Sequence, residues 1–299
     1  MKTILITGGT GLLGKGMEET APDGWSIVSL HQRDYHVEDA RALHLVLDIR
    51  EKKSADKVFA DYKFDAVIHA AGIASVDYVE KHYAESLESN LEGTSNIASA
   101  ARRAGVYFVY VSTNAVFDGQ QAPYTETDAP NPVNKYGEIK LQCERLVSEM
   151  LPDSSIIRPI LMYGWNHAVT RPNIVTWVCQ TLHRGDKVEL VDDVTENPLY
   201  NLQCAEALWA VVEKRPSGVF HVAGKDACNR YEFGRKIAEI FGLDASLITR
   251  VNSSHFPDIA KRPPNTTLSV TRMETELGVP AVRLEDGLKS MKASMRVRT

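Results

Sequence analysis

Apolar positions along this chain follow two alternating rhythms. Lys2–Thr7 is a short run rich in β-branched residues, and Leu12–Thr20 has helical spacing. Ser26–Leu30 and Leu43–Asp48 read as strands, Glu51–Tyr62 as a helix and Asp65–Ala71 as a strand. Asp77–Ala104 reads as mostly helical and Val106–Ser112 is almost wholly apolar. A long helix follows Asn134, and Ser154–Pro159 reads as a further strand. Short strands without polar alternation, separated by helices, predict βαβ units with right-handed crossovers and a parallel sheet covered on both faces.

The second half is less regular. Helices are expected at Asn173–Arg184, Leu202–Lys214 and Tyr231–Phe241, and strands at Lys187–Val191 and Gly218–Val222. A loop rich in Pro and Ser, Asn252–Asn265, precedes terminal helical segments. The fold class expected is α/β, a Rossmann-type doubly wound parallel sheet with a smaller mixed α/β C-terminal substrate domain. Residues 1–165 with about 187–223 would form the dinucleotide-binding domain, and about 166–186 with 224–299 the substrate domain.

The chain has 299 residues, 34 Lys and Arg against 39 Asp and Glu, and a net charge of −5. This mild acidity offers no basic footprint for nucleic acid. The longest uncharged stretch, Ala104–Phe117, falls short of the roughly 20 residues a membrane helix needs. No apolar signal segment precedes the glycines at Gly8, and the four cysteines lie far apart, so reduced thiols and a cytoplasmic location are expected. The nine histidines show no metal-binding spacing on one helix, and Asp192-Asp193 reads as a solvated loop, so no metal is expected. His69 and His221 end apolar strands and read as satisfied core residues. Lys289, Lys292, Arg296 and Arg298 read as a solvated helix end and tail.

Thr7-Gly8-Gly9-Thr10-Gly11-Leu12-Leu13-Gly14 follows the first strand and opens the first helix. Glycines at 8, 11 and 14 permit a tight turn, backbone approach to a pyrophosphate and close packing of helix on strand. The helix N-terminus adds N–H groups and a positive dipole end for phosphate. An NAD site should then offer an acid after the second strand. Here the strand ends Leu30-His31-Gln32-Arg33, with Asp34 a little late. Arg33, with His31, could meet a 2′-phosphate, which favours NADP(H) over NAD(H). Alternatively, Arg33 is an exposed loop charge.

Tyr136 and Lys140 are spaced i, i+4, on one face of the helix that Asn134 would cap. A neighbouring ammonium favours phenolate and should lower the Tyr136 pKa. Ser112-Thr113 follows the preceding buried strand, where a hydroxyl could orient a substrate carbonyl.

Together the loop Thr7–Gly14, His69-Ala70-Ala71-Gly72, Val111-Ser112-Thr113 and Tyr136-xxx-Lys140 resemble the extended short-chain dehydrogenase/reductase superfamily. The dTDP-4-dehydrorhamnose reductase group within it is similar at Ser112–Gly119, Pro123–Glu126, Asn134–Gly137 and Ala260–Leu268. This resemblance implies roles. Thr113 would hydrogen-bond the substrate oxygen, Tyr136 would be the general acid, and Lys140 would hold the nicotinamide ribose and tune Tyr136. Gly8, Gly11 and Gly14 would wrap the pyrophosphate, with Thr10, Leu12 and Leu13 close by. Asp48 and Ile49 would contact adenine, and Ala70, Ala71 and Gly72 the middle of the cofactor. Asn114 and Arg262 are the substrate-side candidates. Arg262 either clamps phosphate or makes a structural salt bridge. The implied reaction is NADPH-dependent reduction of the 4-keto group of a nucleotide-activated 6-deoxyhexose, and a homodimer would fit.

The group usually carries an Asp and an aromatic after the Thr, where this chain has Asn114 and Ala115. No carboxylate occurs between Thr113 and Phe117, which argues against the related dehydratases. Two rivals remain: an epimerase of the same superfamily, and a non-enzymatic NADP-binding subunit resembling the regulatory β subunit of methionine adenosyltransferase.

Overall fold

The computed structural model describes residues 1–34, 41–167, 172–257 and 259–295. Its first half runs β1 (Lys2–Thr7), α1 (Leu12–Glu19), β2 (Trp25–His31), β3 (Ala42–Val46), α2 (Lys52–Asp61), β4 (Ala66–His69), α3 (Val76–Lys81), α4 (Tyr83–Leu87), α5 (Gly93–Ala104), β5 (Tyr107–Val111), α6 (Lys135–Met150) and β6 (Ser155–Pro159). Then follow β7 (Met162–Tyr163), α7 (Ile174–His183), β8 (Val188–Val191), β9 (Thr195–Glu196), β10 (Leu199–Tyr200), α8 (Asn201–Lys214) and β11 (Gly218–Val222). The chain continues with β12 (Cys228–Asn229), α9 (Arg230–Phe241), β13 (Ile248–Val251) and α10 (Leu284–Met295).

Seven strands form one sheet in the order β11-β6-β5-β4-β1-β2-β3. Every pairing is parallel. Ile4, Leu5 and Ile6 are buried on both faces, which explains the unbroken apolar run of β1. One face is covered by α1 and α8, where Met17, Leu208 and Trp209 join Ile4 and Ile68. The other is covered by α2, α5 and α6, through Val58, Ile97, Ile139 and Val147. Thr7 lies in register with Leu30 and His69, so the loops after β1, β2 and β4 leave the same edge. The crevice outside the carboxyl ends of the strands is where open α/β sheets bind ligands.

A third apolar cluster joins Val175, Val178 and Leu182 of α7 to Phe233 and Ile237 of α9 and Leu288 and Met291 of α10. The chain returns from it to the sheet: Met273 and Leu277 pack with α8 in the first cluster. The strand β13, not foreseen in the sequence, pairs with β8. Lys289 pairs with Glu285 at 2.6 Å and Lys292 donates to the carbonyl of Ile240 at 2.6 Å, whereas Arg296 and Arg298 lie outside the described residues.

The segment read as helical over Asp77–Ala104 is interrupted. Helices α3 and α4 meet at His82, and a π-turn over Glu88–Glu92 separates α4 from α5. The widened turn carries Asn90 inward, where its amide bridges the backbone of Ile73: Ile73 N–H donates to Oδ1 at 2.6 Å and Nδ2 donates to the carbonyl at 3.1 Å. Such turns concentrate at functional sites, and Asn90 lines the crevice.

Candidate functional site

Two adjoining cavities occupy the crevice. The larger, about 540 Å³, runs from Gly8, Gly11, Leu12 and Leu13 past Thr113, Tyr136 and Lys140 to Glu196, Arg230 and Arg262. The smaller, about 350 Å³, lies over Thr10, His31, Asp48 and Ile49. They share Gly8, Gly11, Ala70, Ala71 and Gly72, so one trough passes over the glycine loop.

The loop is built for close approach. Gly8 has φ +74°, and a Cβ there would lie 3.0 Å from Ala71. Gly14 lines neither cavity; a Cβ on it would lie 2.0 Å from the Gly9 carbonyl oxygen, so it seats α1 against the loop. The N-cap of α1, Gly11, offers no side-chain cap, and the first turn contains no acid. Its N–H groups and dipole therefore face the trough without a competing carboxylate, as a pyrophosphate requires. The residues present fit a dinucleotide.

At the far end, His31 is held by a 2.6 Å hydrogen bond between Nδ1 and the Arg33 carbonyl. The Arg33 side chain is exposed and lines neither cavity. Asp48 is gripped by Arg50, with Nη2 donating to Oδ2 at 2.6 Å and Nε to Oδ1 at 3.0 Å. Those bonds hold its carboxyl down at about 2.

Helix α6 presents the catalytic candidates. Asn134 caps it, its Oδ1 accepting from Gly137 N–H at 2.9 Å. Tyr136 and Lys140 are each 9% exposed and Thr113 7%, all on the cavity wall. Lys140 donates from Nζ to the Val111 carbonyl at 2.7 Å and stands 4.3 Å over the Tyr110 ring. Burial lowers Lys140 to about 8. Burial pushes the Tyr136 hydroxyl up to about 12, against the opposing pull of the Thr113 hydroxyl beside it. The tuning of Tyr136 by Lys140 expected from their spacing is thus outweighed here: the ammonium is turned to Val111, and desolvation dominates.

Behind Lys140, Ser112 donates to Glu144 at 2.5 Å, and Glu144 receives Arg158 on both oxygens, Nε at 2.9 Å and Nη2 at 2.7 Å. This buried pair lies beneath the site rather than in it.

The cavity wall beyond Thr113 is where the sequence was least informative. Asn114 donates from Nδ2 to Glu196 at 3.2 Å and to Thr266 at 2.7 Å, and Glu196 pairs with Arg230 at 2.5 Å. Glu196, Arg230 and Thr266 all line the large cavity; Thr266 falls in the stretch Ala260–Leu268 noted above, whereas Glu196 and Arg230 were not anticipated. Arg262 lines it too, with Nη2 donating to Asp77 at 2.9 Å and Nη1 to the Ala260 carbonyl at 2.7 Å. The salt bridge read for Arg262 is present, on a side chain that also lines the cavity.

Other candidates fall outside the trough. His69 is buried between Thr7 Oγ1 at 2.7 Å and Thr94 Oγ1 at 3.0 Å, and burial pushes it down to about 3. Asp192 pairs with Arg250, and Asp193 accepts from Ser253 Oγ at 2.7 Å. Among the described residues no group of three metal-ligating side chains gathers, and no helix is long and apolar enough to cross a membrane.

Known proteins resemble this chain along its length. A probable low-salt glycan biosynthesis reductase, Agl14, of Haloferax volcanii is 32% identical over 295 residues, covering 97% of each chain. The methionine adenosyltransferase 2 subunit beta of Bos taurus is 30% identical over 285 residues, covering 93% of this chain and 83% of that one. A crystal structure of dTDP-4-dehydrorhamnose reductase from Bacillus anthracis in complex with NADP superposes with a TM-score of 0.88 at 25% identity, covering 98% of this chain and 100% of the other. Residues 1–297 match the family described as the RmlD substrate binding domain, and the chain belongs to that family.

Proposed function

We propose that this protein is an NADPH-dependent reductase of the 4-keto group of a nucleotide-activated 6-deoxyhexose. One observation carries the reading: Thr113, Tyr136 and Lys140 converge on the same cavity as the uncapped glycine loop. When bound, the nicotinamide supplies the hydride. Gly8, Gly11 and the first turn of α1 would hold the pyrophosphate, and Ala70, Ala71 and Gly72 the wall beside it. Lys140 would hold the nicotinamide ribose. Thr113 donates to the keto oxygen, and Tyr136 protonates that oxygen as charge develops on it, where a preorganised donor lowers the barrier. Segments after Leu161 would supply the sugar-nucleotide side, with Asn114 and Arg262 on its wall.

The preference for NADP(H) rests on charge. Asp48 is the carboxylate lining the adenosine-side cavity, and Arg50 and Gln32 already occupy it. That leaves a ribose 2′-hydroxyl without a free acidic partner there, while the exposed Arg33, next in sequence to the cavity residue Gln32, would be the partner of a 2′-phosphate.

The test follows oxidation of NADPH or NADH with freshly made dTDP-4-keto-6-deoxyglucose, offered with and without a 3,5-epimerase. The expected result is rapid oxidation with NADPH, lost in Tyr136→Phe and weakened toward NADPH alone in Arg33→Ala. A Phe variant as active as wild type would overturn the assignment. The likeness to the methionine adenosyltransferase subunit supports a second reading, a regulatory dinucleotide-binding subunit. NADPH bound without oxidation, together with capture of a methionine adenosyltransferase catalytic subunit in a pull-down, would favour it.

A further inference from the structure

The residue after Thr113 is an amide, and the structure seats that amide against a carboxylate and two hydroxyls. Asn114 Nδ2 lies 3.2 Å from Glu196 Oε1 and 2.7 Å from Thr266 Oγ1. A carboxylate only accepts, so the amide nitrogen must face Glu196 and the carbonyl oxygen must face the other way. There it meets the Thr113 hydroxyl, which donates to Asn114 Oδ1 at 3.3 Å while accepting from Ala115 N–H at 3.2 Å. Glu196 is itself fixed, its second oxygen 2.5 Å from Arg230 Nη2, and it is 7% exposed.

We propose that Glu196 is a positioning residue for the reduction: it fixes the Asn114 amide, which aims the Thr113 hydroxyl, and it is the reason position 114 carries an amide and not a carboxylate. The geometry explains both halves. A long, neutral hydrogen bond parks the Thr113 proton yet releases it to an incoming carbonyl oxygen. An Asp at 114 would set two carboxylates face to face, and their repulsion would turn away the group that aims the Thr113 hydroxyl. Glu196 comes from β9, remote in sequence from Thr113, so the pairing is a property of the folded cavity. The charged groups on that wall are Glu196, Arg230, Arg262 and Lys140, with Tyr136 the other titratable one.

This inference rests on the reading of Thr113 as the donor to the substrate oxygen, so the experiment has an arm independent of it. Wild type, Asn114→Asp, Glu196→Gln and Asn114→Asp/Glu196→Gln are compared. The first arm, without substrate, measures Tm against pH. Asn114→Asp is expected to melt below wild type at pH 8, with the gap closing toward pH 5 as one carboxylate takes a proton, and the double variant is expected to recover most of the loss. The second arm measures kcat and KM with NADPH and the keto sugar. Asn114→Asp is expected to lose roughly tenfold in kcat at pH 8, the worth of one misdirected hydrogen bond. Its KM should change little, its kcat should rise as pH falls, and the double variant should regain rate. A double variant as slow as Asn114→Asp, or an Asn114→Asp enzyme with the wild-type pH profiles of rate and Tm, would overturn the proposal. Failure of the reductase reading would look different: wild type itself would be inactive while the Tm cycle still reported the coupling.

Discussion

Lys140 Nζ donates to the carbonyl oxygen of Val111 at 2.7 Å, which ties the middle of α6 to the last residue of β5. The bond sets α6 against the strand whose end leads into Thr113. It also spends one ammonium proton on the protein, leaving the others for the cavity.

Burial lowers Lys140 to about 8, so its charge is present below that pH and fades above it. In the free enzyme kcat/KM is therefore expected to fall as pH rises past about 8. Lys140→Met should remove this limb and cut turnover by roughly 10²-fold or more, with Tm within a few degrees of wild type. A pH–rate profile of both proteins checks it.

Glu144 and Arg158 form a buried pair, each side chain 5% exposed. Removing one partner strands the other in the interior, so Glu144→Gln is expected to cost about 3–5 kcal/mol. Glu144→Leu with Arg158→Met, which removes both charges, should recover much of that. Urea midpoints of the three proteins decide it.

Gly14→Ala would drive a methyl to 2.0 Å from the Gly9 carbonyl oxygen. Helix α1 must then lift from the loop, at a cost of about 1–3 kcal/mol. The same lift moves the N–H groups from the trough, so NADPH affinity, read by cofactor fluorescence, should fall together with Tm. Loss of stability with unchanged affinity would mean the phosphates lie elsewhere.

Glu18 of α1 is buried beside His44, 3.5 Å away, and desolvation raises its pKa to about 7. A carboxyl that binds its proton more tightly when folded loses stability as pH climbs from its ordinary range toward 7, on the order of 2–3 kcal/mol here. Glu18→Gln should thus gain on wild type between pH 5 and pH 7 and hold that gain above it. His44 is held below its ordinary value by burial and by His31, which contributes the opposite slope. A constant difference in Tm across this range would contradict the assignment.

Much of the framework could be read from local pattern. β11 spans the same Gly218–Val222 in expectation and structure, and Asn134 caps α6 as its amide chemistry suggests. These features depend on near neighbours and a two-sided burial that leaves a plain apolar run. The π-turn at Glu88–Glu92 was not legible, because it exists for Asn90 to meet Ile73, a contact 17 positions away. Glu196 was hidden further still, 82 positions from the Asn114 it holds. The spacing of Tyr136 and Lys140 placed both on one face correctly, but the direction of the ammonium depends on Val111, which no helical periodicity reports.

The sheet's last strand, β11, is laid down only after the chain has left for β7–β10 and returned through α8, and it departs again before Met273 and Leu277 come back beneath α8. The sheet and the third apolar cluster are therefore stitched together by several passes of one thread. Exchanging substrate preference with a relative by a single cut and splice would orphan an edge of the sheet. A chimaera that folds must instead carry several matched junctions, or change the wall one side chain at a time.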